Sequence, residues 1–157
     1  MYDIQTGQAT SGQAAISIIG QVIAPVAVPL AELRRLEHVE IADMPMRCGD
    51  GEPKGRTGHC QGVLLADVIG RAEALVTGHD DTKKMFVTAI ASDGYKAIFS
   101  WQEIFNSPNG AAIFVVLVKN GQLLDDGGRA DLLAACDHLT GPRYVRNLTA
   151  IEIVMAR

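Results

Sequence analysis

The stretch Met85 to Phe105, MFVTAIASDGYKAIFSWQEIF, sets two apolar, β-branched runs on either side of Ser92-Asp93-Gly94. An Asp-Gly pair between such runs signals a hairpin, because glycine accepts the positive φ that a tight turn demands. Ser100 then stands just before Trp101 to Phe105, where its hydroxyl can accept from a free amide at the start of a short helix. Strand, turn, strand and capped helix are therefore expected in direct succession.

Working outward, Ala111 to Val118 is an unbroken apolar run of strand length, expected to be a central strand buried on both faces. Asn120-Gly121 marks the next turn, and Asp131 to Ala135 and Asn147 to Met155 read as further strands. Towards the N-terminus, Ala15 to Ile23 is a β-branched run broken by Gly20 and stopped by Pro25, which reads as a strand entering a turn. Leu30 to Leu36 follows Pro29 and fits one or two helical turns. Glu37 to Met46 alternates as a strand that ends at Cys48, and Arg47 to His59 shifts to Gly, Pro and charge, the composition of a surface loop. Leu64, Leu65, Val68, Ile69 and Ala72 share one helical face, with Asp67 and Arg71 at i,i+4 on the other. Many strands, few short helices and no regular βαβ alternation indicate an α+β domain with mixed, mainly antiparallel sheets. One domain is expected over residues 15–157, after a loosely ordered segment, 1–14, rich in Gln, Gly, Ser and Thr.

Composition narrows the function classes. The chain has 157 residues, about one domain, and can bury a sizeable core. With 14 Lys and Arg against 18 Asp and Glu, its formal charge of -4 argues against a general nucleic-acid binder, which would show a basic stripe with interleaved aromatics. Anionic small ligands stay open through local clusters. No apolar run approaches the roughly 18 residues of a membrane span. Cys48, Cys60 and Cys136 form no Cys-x-x-Cys pair and no zinc pattern with His38, His59, His79 and His138. Neither a phosphate loop nor a Gly-x-Gly-x-x-Gly helix start occurs, and Gly-x-Ser-x-Gly is missing, which disfavours nucleotide-dependent transfer and a nucleophilic triad. Asp80-Asp81 and Asp125-Asp126 read as solvated turn acids. The start, Met1 to Gln5, has neither the charged nor the apolar region of a secretory signal, so a cytoplasmic location is expected as written, and a periplasmic one if a signal peptide precedes it.

Three blocks in fixed order resemble a molybdopterin-binding oxidoreductase domain of the sulfite-oxidase-like family, in a short single-domain form. They are Cys48 to Ala72 (CGDGEPKGRTGHCQGVLLADVIGRA), Ser92 to Phe105 (SDGYKAIFSWQEIF) and Gly141 to Ile153 (GPRYVRNLTAIEI). The first looks like the family's cysteine-bearing loop and following helix, the second like its DGY hairpin, the third like its closing strand. The resemblance spans roughly Ile18 to Val154. It implies that Cys48 is the catalytic and metal-ligating residue, and soft thiolates do suit redox transition metals. It also implies a molybdopterin cofactor with molybdenum, in contact with Arg56, His59, Asp93, Tyr95, Arg143 and Arg146, and a redox partner protein. Guanidinium groups bind phosphate bidentately, so Arg143 and Arg146 are expected at the phosphate of the pterin. Three apart in an extended segment, they would point to opposite faces, and one of the two is then expected to reach the shared site.

The residues by themselves leave other roles open. Cys48 can equally be a small half-buried hydrophobe, or can pair with Cys60 in a disulfide closing a loop of about 11 residues. Asp93 fits a turn residue holding its own backbone, Tyr95 a packing aromatic, His59 a solvated histidine, and the two arginines surface charges paired with Asp137 or Glu152. His59-Cys60-Gln61-Gly62 also replaces the aromatic entry usual in the family before the Gly-Val-Leu helix. Two functional expectations follow. One is a pterin-binding oxidoreductase performing oxygen-atom or electron transfer at a Cys-ligated molybdenum; the other is a non-catalytic ligand-binding or interaction module on the same fold.

Overall fold

The Asp93-Gly94 turn folds Met85–Ala91 against Lys96–Ser100 in antiparallel register, Ala97 opposite Ala89 and Phe99 opposite Val87, with Gly94 at φ 90°. The Ser100 hydroxyl accepts from the Glu103 amide at 3.0 Å, while the Glu103 carboxylate accepts from the Ser100 amide at 3.0 Å. This reciprocal cap satisfies two amides that the helix start would otherwise leave free. The computed structural model describes the backbone of Tyr2–Asp3 and Gln8–Ala9 and all of residues 13–157, so the segment 1–14 lies largely outside the described residues.

The hairpin forms one edge of a five-stranded sheet ordered Lys96–Ser100, Met85–Ala91, Leu148–Met155, Ala15–Gly20, Val26–Pro29. Its neighbours are antiparallel except where Leu148–Met155 runs parallel to Ala15–Gly20. A second sheet is built on Ile113–Lys119, which pairs with Cys60–Leu64 on one side and with Asp131–Ala134 and Gln122–Leu123 on the other; Val39–Ile41 adds at the edge of Cys60–Leu64. Short helices Leu30–Leu33, Leu65–Ile69 and Trp101–Phe105 complete the α+β architecture expected from the sequence.

The strand period of two explains why Ile113–Lys119 reads as continuously apolar. Ile113, Val115 and Leu117 enter the main core with Ile16, Phe99 and Ile151, whereas Phe114 and Val116 enter a second cluster with Ile41, Cys60, Leu124 and Leu133. Each fully buried aliphatic or Phe side chain contributes about 1.5–3 kcal/mol, so this strand ties two cores together. Gly62 permits its pairing: a Cβ there would lie 2.1 Å from the Val115 carbonyl oxygen.

Three sequence expectations need correction. Glu37 to Met46 is not one strand but two, Val39–Ile41 in the second sheet and Pro45–Arg47 in a separate hairpin. The supposed loop from Arg47 to His59 contains the partner of that hairpin, Pro53–Arg56, whose four residues are all exposed. With no buried face, the strand carries no hydrophobic alternation by which to be read. Arg71 does not pair with Asp67; the helix ends at Ile69, and Arg71 reaches Glu32 at 3.2 Å.

Gly62→Ala is expected to destabilise the protein by about 1–3 kcal/mol through overpacking against backbone, and Ser100→Ala by about 1 kcal/mol through the lost cap. Urea unfolding checks both; an unchanged midpoint for Gly62→Ala would contradict the close approach.

Candidate functional site

The second core cluster supports a cleft of about 410 Å³, since Tyr144 packs on that cluster and also lines the cleft. The walls come from four places: the Pro45–Arg47 and Pro53–Arg56 hairpin (Met46, Lys54, Arg56), the turn at Asp93 and Tyr95, the strand ends at Lys119, Arg129 and Asp131, and the segment Gly141 to Arg146. Five of these side chains are cationic, namely Lys54, Arg56, Lys119, Arg129 and Arg146, against the two acids Asp93 and Asp131. In a chain of net charge -4, the cleft is a concentrated positive region.

Asp131 organises the wall. Its carboxylate is 1% exposed and accepts from Arg129 Nε at 2.9 Å and Nη2 at 3.0 Å, from the Asn147 amide at 2.9 Å, and from the Tyr144 hydroxyl. A buried carboxylate is tolerable because all these donors converge on it. The hydrogen bonds to Asp131 push the Arg129 guanidinium further above its already high pKa. Burial, and then the neighbouring negative charge of Asp131, push the Tyr144 phenol far above its ordinary range, so its proton stays on the oxygen. Asn147 adopts a left-handed φ of 58°, which aims its amide at Asp131.

With Asp131 engaged by Arg129, and Arg56 bound to Asp43 at 2.7 Å, three cations of the cleft have no carboxylate partner among the described residues: Lys54, Lys119 and Arg146. The Arg56 hydrogen bond holds the Asp43 carboxyl below its usual range. Asp93 spends one oxygen on the Tyr95 amide at 3.0 Å, and the Tyr95 hydroxyl donates to the Pro142 carbonyl at 2.5 Å, tying the turn to the Gly141–Arg146 wall.

Of the residues singled out in the sequence, Arg56, Asp93, Tyr95 and Arg146 line the cleft and Arg143 does not. Arg143 turns the other way, onto Asp137 at 2.6 and 2.8 Å, Glu103 at 2.9 Å and the Ile98 carbonyl at 3.0 Å, with its guanidinium 4.2 Å above the Phe99 ring. Its pKa is raised, chiefly by the Asp137 hydrogen bonds. His59 stands outside the cleft lining, with Nε2 3.0 Å from Glu40. Cys48 occupies the tip of the hairpin, half-buried, where its amide donates to the Glu52 carbonyl and its carbonyl accepts from Gly51, each at 2.9 Å. The tip sits against the cleft wall: the Gly141 amide donates to the Arg47 carbonyl at 2.8 Å, and a Cβ on Gly141 would lie 3.5 Å from the Cys48 Cα. Its thiol is not part of the cleft lining. Cys48, Cys60 and Cys136 are all unpaired, so the Cys48–Cys60 disulfide does not form in this structure. Burial raises the Cys60 thiol pKa.

Lys119, Arg129, Asp131 and Tyr144 were not singled out by sequence reasoning. One signal was present: Arg129-x-Asp131 puts two opposite charges two residues apart at the entry to an apolar strand, Asp131–Ala134, that must be buried. Among the described residues, no group of three or more His, Cys, Asp or Glu converges as a metal site, and no helix is long and apolar enough to cross a membrane.

No family model matches the chain, and no curated protein matches it. Among solved structures it is similar to the sulfane dehydrogenase SoxCD from Paracoccus pantotrophus, with a TM-score of 0.64 and 16% identity over 92% of this chain and 39% of that one. At that identity the likeness is one of fold, in keeping with the α+β architecture expected from the sequence. The chain spans about two fifths of that neighbour's length.

Asp131→Asn leaves Arg129 without its counter-charge and is expected to cost about 3 kcal/mol in urea unfolding. Tyr144 adds a pH signature. Its pKa is raised in the folded state, so above the ordinary phenol value of 10.0 the unfolded chain releases this proton first, and the contribution of Tyr144 is lost as pH rises from there. The urea midpoint should fall more steeply above pH of about 10 in the wild type than in Tyr144→Phe; equal slopes would contradict the buried hydrogen bond.

Proposed function

We propose that the cleft binds a phosphate-bearing pterin of the molybdopterin type, with Cys48 as the protein thiolate for its molybdenum, in a protein of oxidoreductase type. The observation that carries this reading is the set of three cations, Lys54, Lys119 and Arg146, that have no carboxylate partner among the described residues and share one cleft beside the Cys48 hairpin. They fit the phosphate end of such a group, because unpaired surface cations gain most from a dianion. Cys48 fits less closely: it is an unpaired, half-buried thiol packed behind Gly141 rather than in the cleft lining. When bound, the metal would supply oxygen-atom or electron transfer, with a redox partner protein taking the electrons.

The chain's own residues then have separate tasks. Arg146, Lys54 and Lys119 bind the anion; Asp93 and Tyr95 fix the turn that closes the cleft; Tyr144 offers a neutral hydroxyl whose proton Asp131 holds. Arg143 is a strut, since its donors are spent on Asp137, Glu103 and Ile98. A second reading, a non-catalytic ligand-binding module, is favoured by the position of the Cys48 thiol outside the lining and by the chain covering 39% of its structural neighbour.

Expression in a host competent in molybdopterin synthesis, followed by molybdenum analysis and pterin fluorescence after acid release, separates the two. The first reading expects near-stoichiometric metal and pterin, loss of metal in Cys48→Ser, and loss of pterin in Arg146→Ala. Pterin without metal in both wild type and Cys48→Ser supports the second reading, and neither pterin nor metal in the folded wild type contradicts the first. Arg143→Ala is expected to lower stability, on the order of 2 kcal/mol for a partly exposed charge cluster, rather than pterin affinity at saturating folded protein.

A further inference from the structure

Among the described residues, the five-stranded sheet is packed on one face only. Ile18, Val87, Phe99 and Ile151 point from it into the main core, and the buried side chains of the helices Leu30–Leu33, Leu65–Ile69 and Trp101–Phe105 all join that same cluster. With a strand period of two, the alternate residues stand on the other face, among them Ile19, Phe86, Ile90, Ile98, Ala150 and Val154. None of these six belongs to either core cluster, and none lines the cleft. Ile98 is 58% exposed and the other five are partly exposed.

A sheet face left to water normally alternates with polar side chains, whereas a strand covered on both sides reads as a continuous apolar run. Met85–Ala91 reads MFVTAIA, without a charge on either face, which is the second pattern. A contiguous apolar face of this kind marks a site of association.

The charges on the face identify its occupant. It carries one cation, Lys96, and one anion, Glu152, and neither side chain forms an ion pair among the described residues. They flank the uncharged strand on its two sides: Lys96 lies opposite Ile90, and Glu152 lies opposite Thr88. We infer that this face binds a second copy of the chain, through a two-fold axis running along Met85–Ala91. Such an axis exchanges the two neighbouring strands, so Lys96–Ser100 of one copy lies over Leu148–Met155 of the other. Phe86 and Ile90 then meet their own counterparts near the axis, and each Lys96 comes within reach of Glu152 of the other copy. The face measures only about 15–20 Å each way, the low end for a specific interface, so dissociation at concentrations on the order of micromolar is expected. This assembly does not depend on the ligand reading of the cleft.

The test is sedimentation equilibrium of the purified chain from about 1 to 200 µM. The mass is expected to rise with concentration from 16.8 kDa towards twice that value. Ile98→Lys, at an exposed position where folding is expected to be kept, should remain at 16.8 kDa throughout, with far-UV circular dichroism as the check on its fold. Glu152→Lys alone and Lys96→Glu alone should each weaken association at least about tenfold, because like charges then face each other. An equimolar mixture of these two variants should associate again, since every contact in the mixed pair is once more Lys against Glu. A wild-type chain that stays monomeric over the whole range overturns the proposal, as does a dimer that Ile98→Lys leaves intact. A dimer lost in Ile98→Lys but not restored in the mixture overturns the two-fold arrangement.

Discussion

A single buried carboxylate, Asp131, sets the geometry on which the cleft depends. It lies where the Asp131–Ala134 strand leaves the second core cluster, and it gathers Arg129, Tyr144 and the Asn147 amide around two oxygens. Without those donors, the charge would be prohibitive at that depth. With them, the strand end and the Tyr144–Asn147 segment become one rigid wall. Two electrostatic consequences follow. Arg129 is neutralised and Tyr144 is held protonated, so the positive potential of the cleft rests on Lys54, Lys119 and Arg146, which have no carboxylate partner among the described residues.

The opposite side of the same segment is held by a second cluster of similar logic. Arg143 stacks on Phe99 and forks onto Asp137 and Glu103, and Glu103 also closes the cap of the Trp101–Phe105 helix. Between the two clusters, Gly141 brings the chain so close to Arg47 and Cys48 that no side chain fits there. Hairpin tip, Asp93-Gly94-Tyr95 turn and closing segment, far apart in the sequence, are thus neighbours in space. Their meeting point is built by glycine, by the Tyr95 hydroxyl bond to Pro142, and by two arginines facing opposite ways.

Much of this was legible in the residues. The hairpin at Asp93-Gly94, the Ser100 cap and the doubly buried central strand follow from local rules of turn, cap and period, and they are found as read. Arg143 and Arg146 do aim differently, but not through the strand period on which the expectation rested, because Pro142-Arg143 lies in a turn closed by the Tyr144 amide on the Gly141 carbonyl. The exposed Pro53–Arg56 strand was not legible, because a hairpin with no buried face carries no hydrophobic alternation. Nor was the Asp131 cluster: its donors are drawn from positions 129, 144 and 147, and only tertiary closure reveals that a strand-entry aspartate will be buried. Lys119 reads as an ordinary strand-end lysine until the cleft is seen around it.

Anion binding is expected to belong to Lys54, Lys119 and Arg146 and not to Arg143. Chemical-shift mapping of the isotope-labelled protein during titration with inorganic phosphate at low ionic strength addresses it most directly, since each side chain and its amide report separately. Saturable shifts are expected to centre on those three residues and on Tyr95 and Gly141, with Asp137, Glu103 and Arg143 unmoved. Shifts centred on Arg143, or a non-saturating drift spread over all surface lysines, would contradict it.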